Sequence, residues 1–154
     1  MMLMSTILMA LAQMPVAQAE DEAATTRRVE IQRRLSARDA GPTCAEVEAM
    51  SPEPVADLVW LVEHVRQPPW VGIRAAACLM TEHGQDESER LHQWAVDPDR
   101  KGLAILLLGK LDELPAPLAH SLGQAVLAGP HKELARPRLV QSQHKDVRAL
   151  VEAD

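Results

Sequence analysis

The residue types that most often perform chemistry are present in this chain, but their spacing predicts no catalytic site. Six histidines are scattered along it, and no two are four residues apart, as a zinc-binding helix would require. A serine nucleophile would be expected in a Gly-x-Ser-x-Gly motif. The nearest sequence, His120-Ser121-Leu122-Gly123, lacks the first glycine of that motif and falls within a predicted helix. The seven glycines form no Gly-x-Gly-x-x-Gly phosphate loop. The sequence therefore predicts a protein that is not an enzyme and carries no cofactor.

Carboxylates and two histidines gather around one predicted turn between helices. They are, in chain order, Glu82, His83, Asp86, Glu87, Glu89 and His92. Such groups can bind a divalent metal, but charged side chains in a turn are usually just solvated. The sequence predicts no metal site, and leaves open whether the acidic stretch 82–89 binds one.

The N-terminal segment has the pattern of a cleaved signal peptide. Met1 to Val16 is almost wholly apolar, and Ala17 and Ala19 place small residues where signal peptidase needs them, although no Lys or Arg precedes the apolar run. The run is shorter than the roughly 20 residues of a membrane-spanning helix. The alternative is an N-terminal helix buried in the fold. We predict that residues 1–19 are removed and that the mature chain is periplasmic or secreted, without membrane insertion.

Export determines how the two cysteines, Cys44 and Cys78, are interpreted. Disulfides form and persist in oxidising compartments. In an exported chain with only two cysteines, a disulfide between them is therefore favoured. Two thiols alone are too few ligands for a metal site. The sequence therefore predicts a Cys44–Cys78 disulfide, with two buried thiols as the alternative.

The charge of the chain argues against a nucleic-acid partner. Its 154 residues include 16 basic and 22 acidic side chains, for a net charge of −6, whereas nucleic-acid-binding domains are typically basic. Residues 44–99 hold three basic and eleven acidic residues (−8), and residues 100–154 hold eight and six (+2). This uneven distribution indicates surfaces of different charge within one globular domain.

From Ser51 onward, the sequence predicts short helices and no strand of useful length. Ser51-Pro52-Glu53 is typical of a helix start. The helix that follows has an apolar stripe, and its opposite side carries Asp57, Trp60 and His64. The next segment, Trp70 to Thr81, is apolar on both sides and is predicted to be buried on two faces.

The same alternation of an amphipathic and an apolar segment continues to the end of the chain. An amphipathic helix over Asp86 to Val96 precedes an apolar one over Arg100 to Leu114. A third amphipathic stripe runs from Leu118 to Val126, and a last segment, His131 to Val151, is predicted to be divided by Pro137.

The apolar helices recur with a regular period. Ile73, Leu103 and Leu134 each follow a proline by four or five residues and lie 30 and 31 residues apart. Paired helices with such a period are typical of α-solenoids. The segment Pro69 to Leu79 resembles the second helix of a HEAT-type repeat, with a turn proline, an aliphatic-Arg pair (Ile73-Arg74) and small residues after it.

This resemblance covers about residues 52–151, with one unit that matches well, and it implies an all-α fold. We expect a short solenoid of about three antiparallel helical pairs over residues 51–154, with residues 20–50 as an N-terminal helical cap. The alternative is a generic arrangement of antiparallel helices. In the cap, a charged helix is predicted from Ala23 to Arg38, and Thr43-Cys44-Ala45-Glu46 resembles a capping box.

The resemblance also implies binding rather than catalysis, because HEAT-like arrays usually hold a protein or an extended peptide on their inner helices. Cations on these helices could recognise acidic groups; they are Arg74, Arg100, Lys101 and Arg136. In such arrays, an arginine at the position of Arg74 often bonds instead to a turn carboxylate of the array itself.

Trp60 and Trp70 are further candidates for partner contact, because tryptophan is frequent at binding hot spots. The alternative for both is packing against a neighbouring helix. The sequence thus predicts an exported, non-enzymatic interaction module with a protein or peptide partner on its inner-helix surface. The alternative function is a small-ligand or metal carrier, or an enzyme subunit, of the cell envelope.

Overall fold

The computed structural model describes residues 16–152, with side chains described from residue 19 onward. The predicted signal peptide, residues 1–19, lies almost wholly outside this range. Every regular element within residues 16–152 is helical, so the prediction of an all-α fold is confirmed. No helix in this range is both long and apolar enough to cross a membrane.

Nine α-helices and one 3-10 helix make up the described part of the chain. The α-helices are α1 (Val16–Leu35), α2 (Cys44–Ala49), α3 (Pro54–His64), α4 (Pro69–His83), α5 (Ser88–Val96), α6 (Lys101–Gly109), α7 (Ala116–Ala128), α8 (Lys132–Leu139) and α9 (Lys145–Glu152). The 3-10 helix, Leu111–Glu113, lies between α6 and α7.

The helices pack as successive pairs and as two rows. Within the pairs, α3 contacts α4, α5 contacts α6 and α7 contacts α8. Helices α4, α6 and α8 also contact one another in succession, and we call them the even row. Helices α5, α7 and α9 form a second succession, the odd row. The even row contains the segments that the sequence predicts as inner helices.

Small residues allow α4 to be buried on two faces, as the sequence predicts. Ala75 and Ala76 are both inaccessible to solvent, as are Val71 and Leu79 on either side of them. Burial of apolar side chains supplies most of the stability of a helical domain, at about 25 cal/mol for each Å² of apolar surface removed from water. Helix α6, which the sequence marks as apolar, is nevertheless exposed on one side, because Ile105 is exposed while Leu103 is buried.

Helices α1 and α2 form the N-terminal part of the described fold. Helix α1 contacts α3 and α4, and α2 contacts α3. The predicted capping box is confirmed, since the Glu46 amide donates to the Thr43 hydroxyl (3.2 Å) and the Thr43 amide donates to the Glu46 carboxylate (2.7 Å). The predicted disulfide is also present and joins Cys44 of α2 to Cys78 of α4.

The start of α3 differs from the sequence prediction. The helix begins at Pro54 rather than at Pro52, and no side chain caps it. The Ser51 hydroxyl instead donates to the Asp57 carboxylate (2.7 Å) and accepts from the Glu53 amide (2.9 Å). Asp57, predicted on the polar side of its helix, is completely buried because α1 covers it.

Two helix ends also lie elsewhere than predicted. Helix α6 stops at Gly109 rather than continuing to Leu114. The last segment is divided at residues 140–144, because α8 continues through Pro137 to Leu139. Asp112 holds the break in place by accepting from the Ser142 hydroxyl (2.5 Å) and from the amide of residue 143 (2.9 Å).

Candidate functional site

The guanidinium group of Arg74 is bound inside the fold. Its Nη1 atom donates to the carbonyl oxygens of Leu35 (2.7 Å) and Ala37 (2.5 Å), at the C-terminal end of α1. Carbonyls at the end of a helix have no partner within it and attract a cation. Arg74 therefore ties α1 to α4, through backbone carbonyls.

We expect the substitution Arg74→Ala to lower the free energy of unfolding by about 1 to 3 kcal/mol, because two charge-assisted hydrogen bonds are lost. Lys101→Ala is the matched control, since Lys101 is exposed on α6 and its removal should change stability little. Chemical denaturation followed by circular dichroism measures both. Equal stabilities for the two variants would contradict the structural role of Arg74.

Arg100 and Trp70 are also bonded to neighbouring elements. The Arg100 guanidinium donates to the carbonyl oxygen of Val62 (3.2 Å) and pairs with Asp97 (3.1 Å). The Trp70 indole nitrogen donates to the carbonyl oxygen of Ser36 (3.3 Å). Both side chains thus contribute to the contacts between helices.

Lys101 and Arg136 are exposed on neighbouring helices of the even row. Each has an exposed apolar residue four positions later. Ile105 on α6 is 47% exposed, and Val140 at the end of α8 is 56% exposed. Residues four apart lie on the same helix face. We call Lys101, Ile105, Arg136 and Val140 the even-row surface.

Ile105 and Val140 are not predicted as surface residues from the sequence, because α6 is apolar all round and Pro137 predicts an earlier end for α8. The sequence does contain a repeated pattern, in which a cation is followed four residues later by a β-branched residue. The pattern occurs at Lys101 and Ile105 and again at Arg136 and Val140. Only the packing shows that both apolar residues face solvent.

A second candidate surface is a groove of about 660 Å³ between α3 and α5. Its apolar part includes Val55, Val59 and Trp60 of α3, all half-buried. Arg28 of α1 and Arg90 of α5 lie at its borders. We call it the Trp60 groove.

Two neighbours hold the Trp60 ring in place. The His64 ring stacks on it, with ring centroids 4.8 Å apart and an angle of 12° between the planes. The guanidinium carbon of Arg28 lies 5.2 Å from the centroid of the indole, which is a cation–π distance. Trp60 therefore presents a partly buried, ordered ring to the groove.

The arginine on the other border of the groove is held by two carboxylates. Arg90 donates to Glu87 (2.9 Å) and to Glu63 (3.1 Å). The hydrogen bond to Glu87, followed by the charges of both carboxylates, raises the pKa of Arg90 above its usual value. The Arg90 charge is therefore already compensated within the protein.

The two histidines of the predicted acidic turn point to different partners. His83 pairs with Glu48 of α2 (2.6 Å), while His92 contacts the carbonyl oxygen of Ser88 (2.6 Å) and the Ser121 hydroxyl. Among residues 16–152, no group of three or more His, Cys, Asp or Glu side chains is arranged to hold a metal ion.

The contact between His92 and Ser121 resembles part of a hydrolase site, but its surroundings do not complete one. Ser121 lies in the interior of α7, where the backbone amides are used by the helix. The amides near this serine are therefore not available as an oxyanion hole. The contact joins α5 to α7 in the odd row.

No family model, curated protein or solved structure matches this chain. Its function must therefore be inferred from the chemistry of its two candidate surfaces, the even-row surface and the Trp60 groove.

Proposed function

We propose that this chain is an exported, non-enzymatic interaction module that binds an acidic segment of a partner protein on its even-row surface. Its architecture in this proposal is a short HEAT-like solenoid of about three antiparallel helical pairs, with residues 20–50 as an N-terminal cap. The even row supplies the inner helices of the solenoid.

The helix contacts support this architecture. A solenoid stacks helical pairs so that each pair packs on its neighbours, and the successive contacts of the even and odd rows follow that scheme. The even-row helices also begin at regular intervals, since Pro69, Lys101 and Lys132 are 32 and 31 residues apart.

The disulfide supports export. Bonds of this kind persist outside the reducing cytosol, and Cys44 and Cys78 are joined here. The signal-peptide pattern of residues 1–19 points to the same compartment.

The repeated pair of an exposed cation and an exposed apolar residue carries the binding proposal. A single exposed apolar residue is ordinary on a protein surface. Ile105 and Val140, however, lie on contacting helices, and each follows an exposed cation by four residues. Apolar contacts can anchor a partner while Lys101 attracts its carboxylates.

Site-specific photocrosslinking in an oxidising compartment tests this proposal on the full chain. A photoreactive amino acid replaces Ile105 in one variant and Val140 in another. Val29, which is exposed on α1 and does not belong to the even row, is the control position. We expect the same protein to be captured at Ile105 and Val140 but not at Val29.

A charge variant tests the acidic nature of the partner. Lys101→Glu should reduce the capture at Val140 about tenfold, because one attractive charge becomes repulsive. Lys145→Glu, an exposed substitution on α9, is the matched control and should leave capture unchanged. Equal capture at Val29, or capture that does not depend on Lys101, would overturn the proposal.

A further inference from the structure

The Trp60 groove and the depression beside it together carry an excess of negative charge. The groove itself is lined by two arginines and two glutamates, namely Arg28, Arg90, Glu53 and Glu63. The depression shares Arg90 and adds three carboxylates, namely Asp86, Glu87 and Glu89. These seven groups leave a net charge of −3. A ligand that extends from the groove over the depression is therefore favoured if it is cationic.

The arginines of the groove are already bound to carboxylates of the protein. Arg28 donates to Asp57 (2.9 Å), and Arg90 donates to Glu87 and Glu63. Arg27 also binds Asp57. An acidic ligand would have to compete for these cations, so it is disfavoured.

Several carboxylates remain accessible to a ligand. The side chain of Glu53 is 73% exposed at one end of the groove, and its pairing with Arg27 is a long one, at 4.0 Å. At the other end, Arg90 is shared with a second depression of about 300 Å³, where Asp86 and Glu89 are exposed. The apolar floor thus lies between the Glu53 carboxylate and an acidic depression.

We infer that the Trp60 groove is a second binding surface, whose ligand is a cationic segment of a partner protein with one apolar side chain. That side chain packs on Trp60, Val55 and Val59, while lysine or arginine residues on either side of it pair with Glu53 and Glu89. Tryptophan is enriched at binding hot spots, which lie near the centre of an interface.

This surface differs from the even-row surface in both residues and charge. The Trp60 groove is built from α1, α3 and α5 and adjoins an acidic depression, whereas the exposed cations Lys101 and Arg136 lie on α6 and α8. The inference goes beyond the proposed function, and the two surfaces are tested by separate measurements.

Calorimetric titration of the full chain with a defined peptide tests the inference. The probe is a short peptide of lysine and serine with one central leucine. We expect it to bind at least about tenfold more tightly than two matched peptides, one with glutamate for lysine and one with serine for leucine. Raising the ionic strength should weaken the binding.

Variants of the groove locate the binding site. Trp60→Ala should weaken binding of the lysine–leucine peptide about tenfold or more, and Trp60→Phe should restore part of it. The double variant E53Q/E89Q changes only exposed carboxylates and should also weaken binding. Glu133→Gln on α8 and Lys101→Glu on α6 are controls that should leave peptide binding unchanged.

Three results would overturn the inference. One is equal affinity for the lysine and glutamate peptides, and another is binding that both Trp60→Ala and E53Q/E89Q leave unchanged. The third is a dimer of the protein alone, in sedimentation experiments, that Trp60→Ala dissociates, because the occupant would then be a second copy of the chain.

Discussion

Replacement of both cysteines, as C44A/C78A, is expected to lower the free energy of unfolding by about 3 to 4 kcal/mol in the chain-entropy model. Cys44 and Cys78 are 34 residues apart, and their bond restricts that whole loop in the unfolded chain. The bond also links α2 to α4, in addition to the packing of α2 on α3. Denaturant unfolding with and without a reducing agent measures the effect.

The reducing agent provides the control for this prediction. It should move the unfolding midpoint of the wild-type chain toward that of C44A/C78A and should leave the midpoint of the variant unchanged. Hydrogen exchange should show the earliest loss of protection in α2, Cys44–Ala49, since that helix is short. A wild-type midpoint that stays the same after proven reduction would exclude a stabilising disulfide.

The second large effect is expected for Asp57→Ala, at about 2 to 4 kcal/mol of unfolding free energy, because two partly buried arginines lose their partner. Breaking a fully buried ion pair costs about 3 to 5 kcal/mol. The Asp57 carboxylate is completely buried. It accepts from Arg28 at 2.9 Å and from Ser51 at 2.7 Å, and it also pairs with Arg27. These bonds join α1 to α3, and Arg28 in turn lies over Trp60.

Acid should weaken the same cluster. Burial by itself would raise the pKa of Asp57, but the hydrogen bonds from Arg27, Ser51 and Arg28 outweigh it and hold the pKa below its usual value of 3.8. The folded state therefore binds this proton less readily than the unfolded chain does. The stabilisation is complete above the unfolded pKa and is lost as the pH falls through the lower folded pKa.

Glu30 offers a matched control for Asp57 because it also accepts hydrogen bonds from two arginines. Arg33 and Arg34 bind it at 2.6 and 3.3 Å, and the Arg33 bond in particular lowers the pKa of Glu30 to about 2. All three side chains are largely exposed, so the ion pairs are screened by water. We expect Glu30→Ala to change the unfolding midpoint very little, and a loss equal to that of Asp57→Ala would show that burial is not the cause.

The helices themselves were predictable because their signals are local. The capping box at Thr43 and Glu46 and the apolar pattern of α4 depend on residues within a few positions of one another. The disulfide was predictable for another reason, since Cys44 and Cys78 are the only cysteines in the chain. Helix ends were less well predicted, because Gly109 and the break after Leu139 are set partly by contacts with other elements.

The candidate surfaces depend on which helix covers which face, and the sequence does not contain that information locally. Asp57 lies on a helix side that the pattern marks as polar, yet α1 buries it with two arginines about 30 residues away. Ile105 lies in an apolar helix, yet no neighbour in the described chain covers it fully.

The amino-acid sequence therefore determined the helical class, the capping box and the disulfide pairing, because periodicity, capping chemistry and a single cysteine pair need no knowledge of distant contacts. Tertiary structure alone decided that Arg74 is used within the fold, that Ile105 is exposed and that Trp60 lies in a groove beside an acidic depression. The physical reason is that solvent exposure and the pairing of charges are set by residues that are far apart in the chain and meet only when the helices pack.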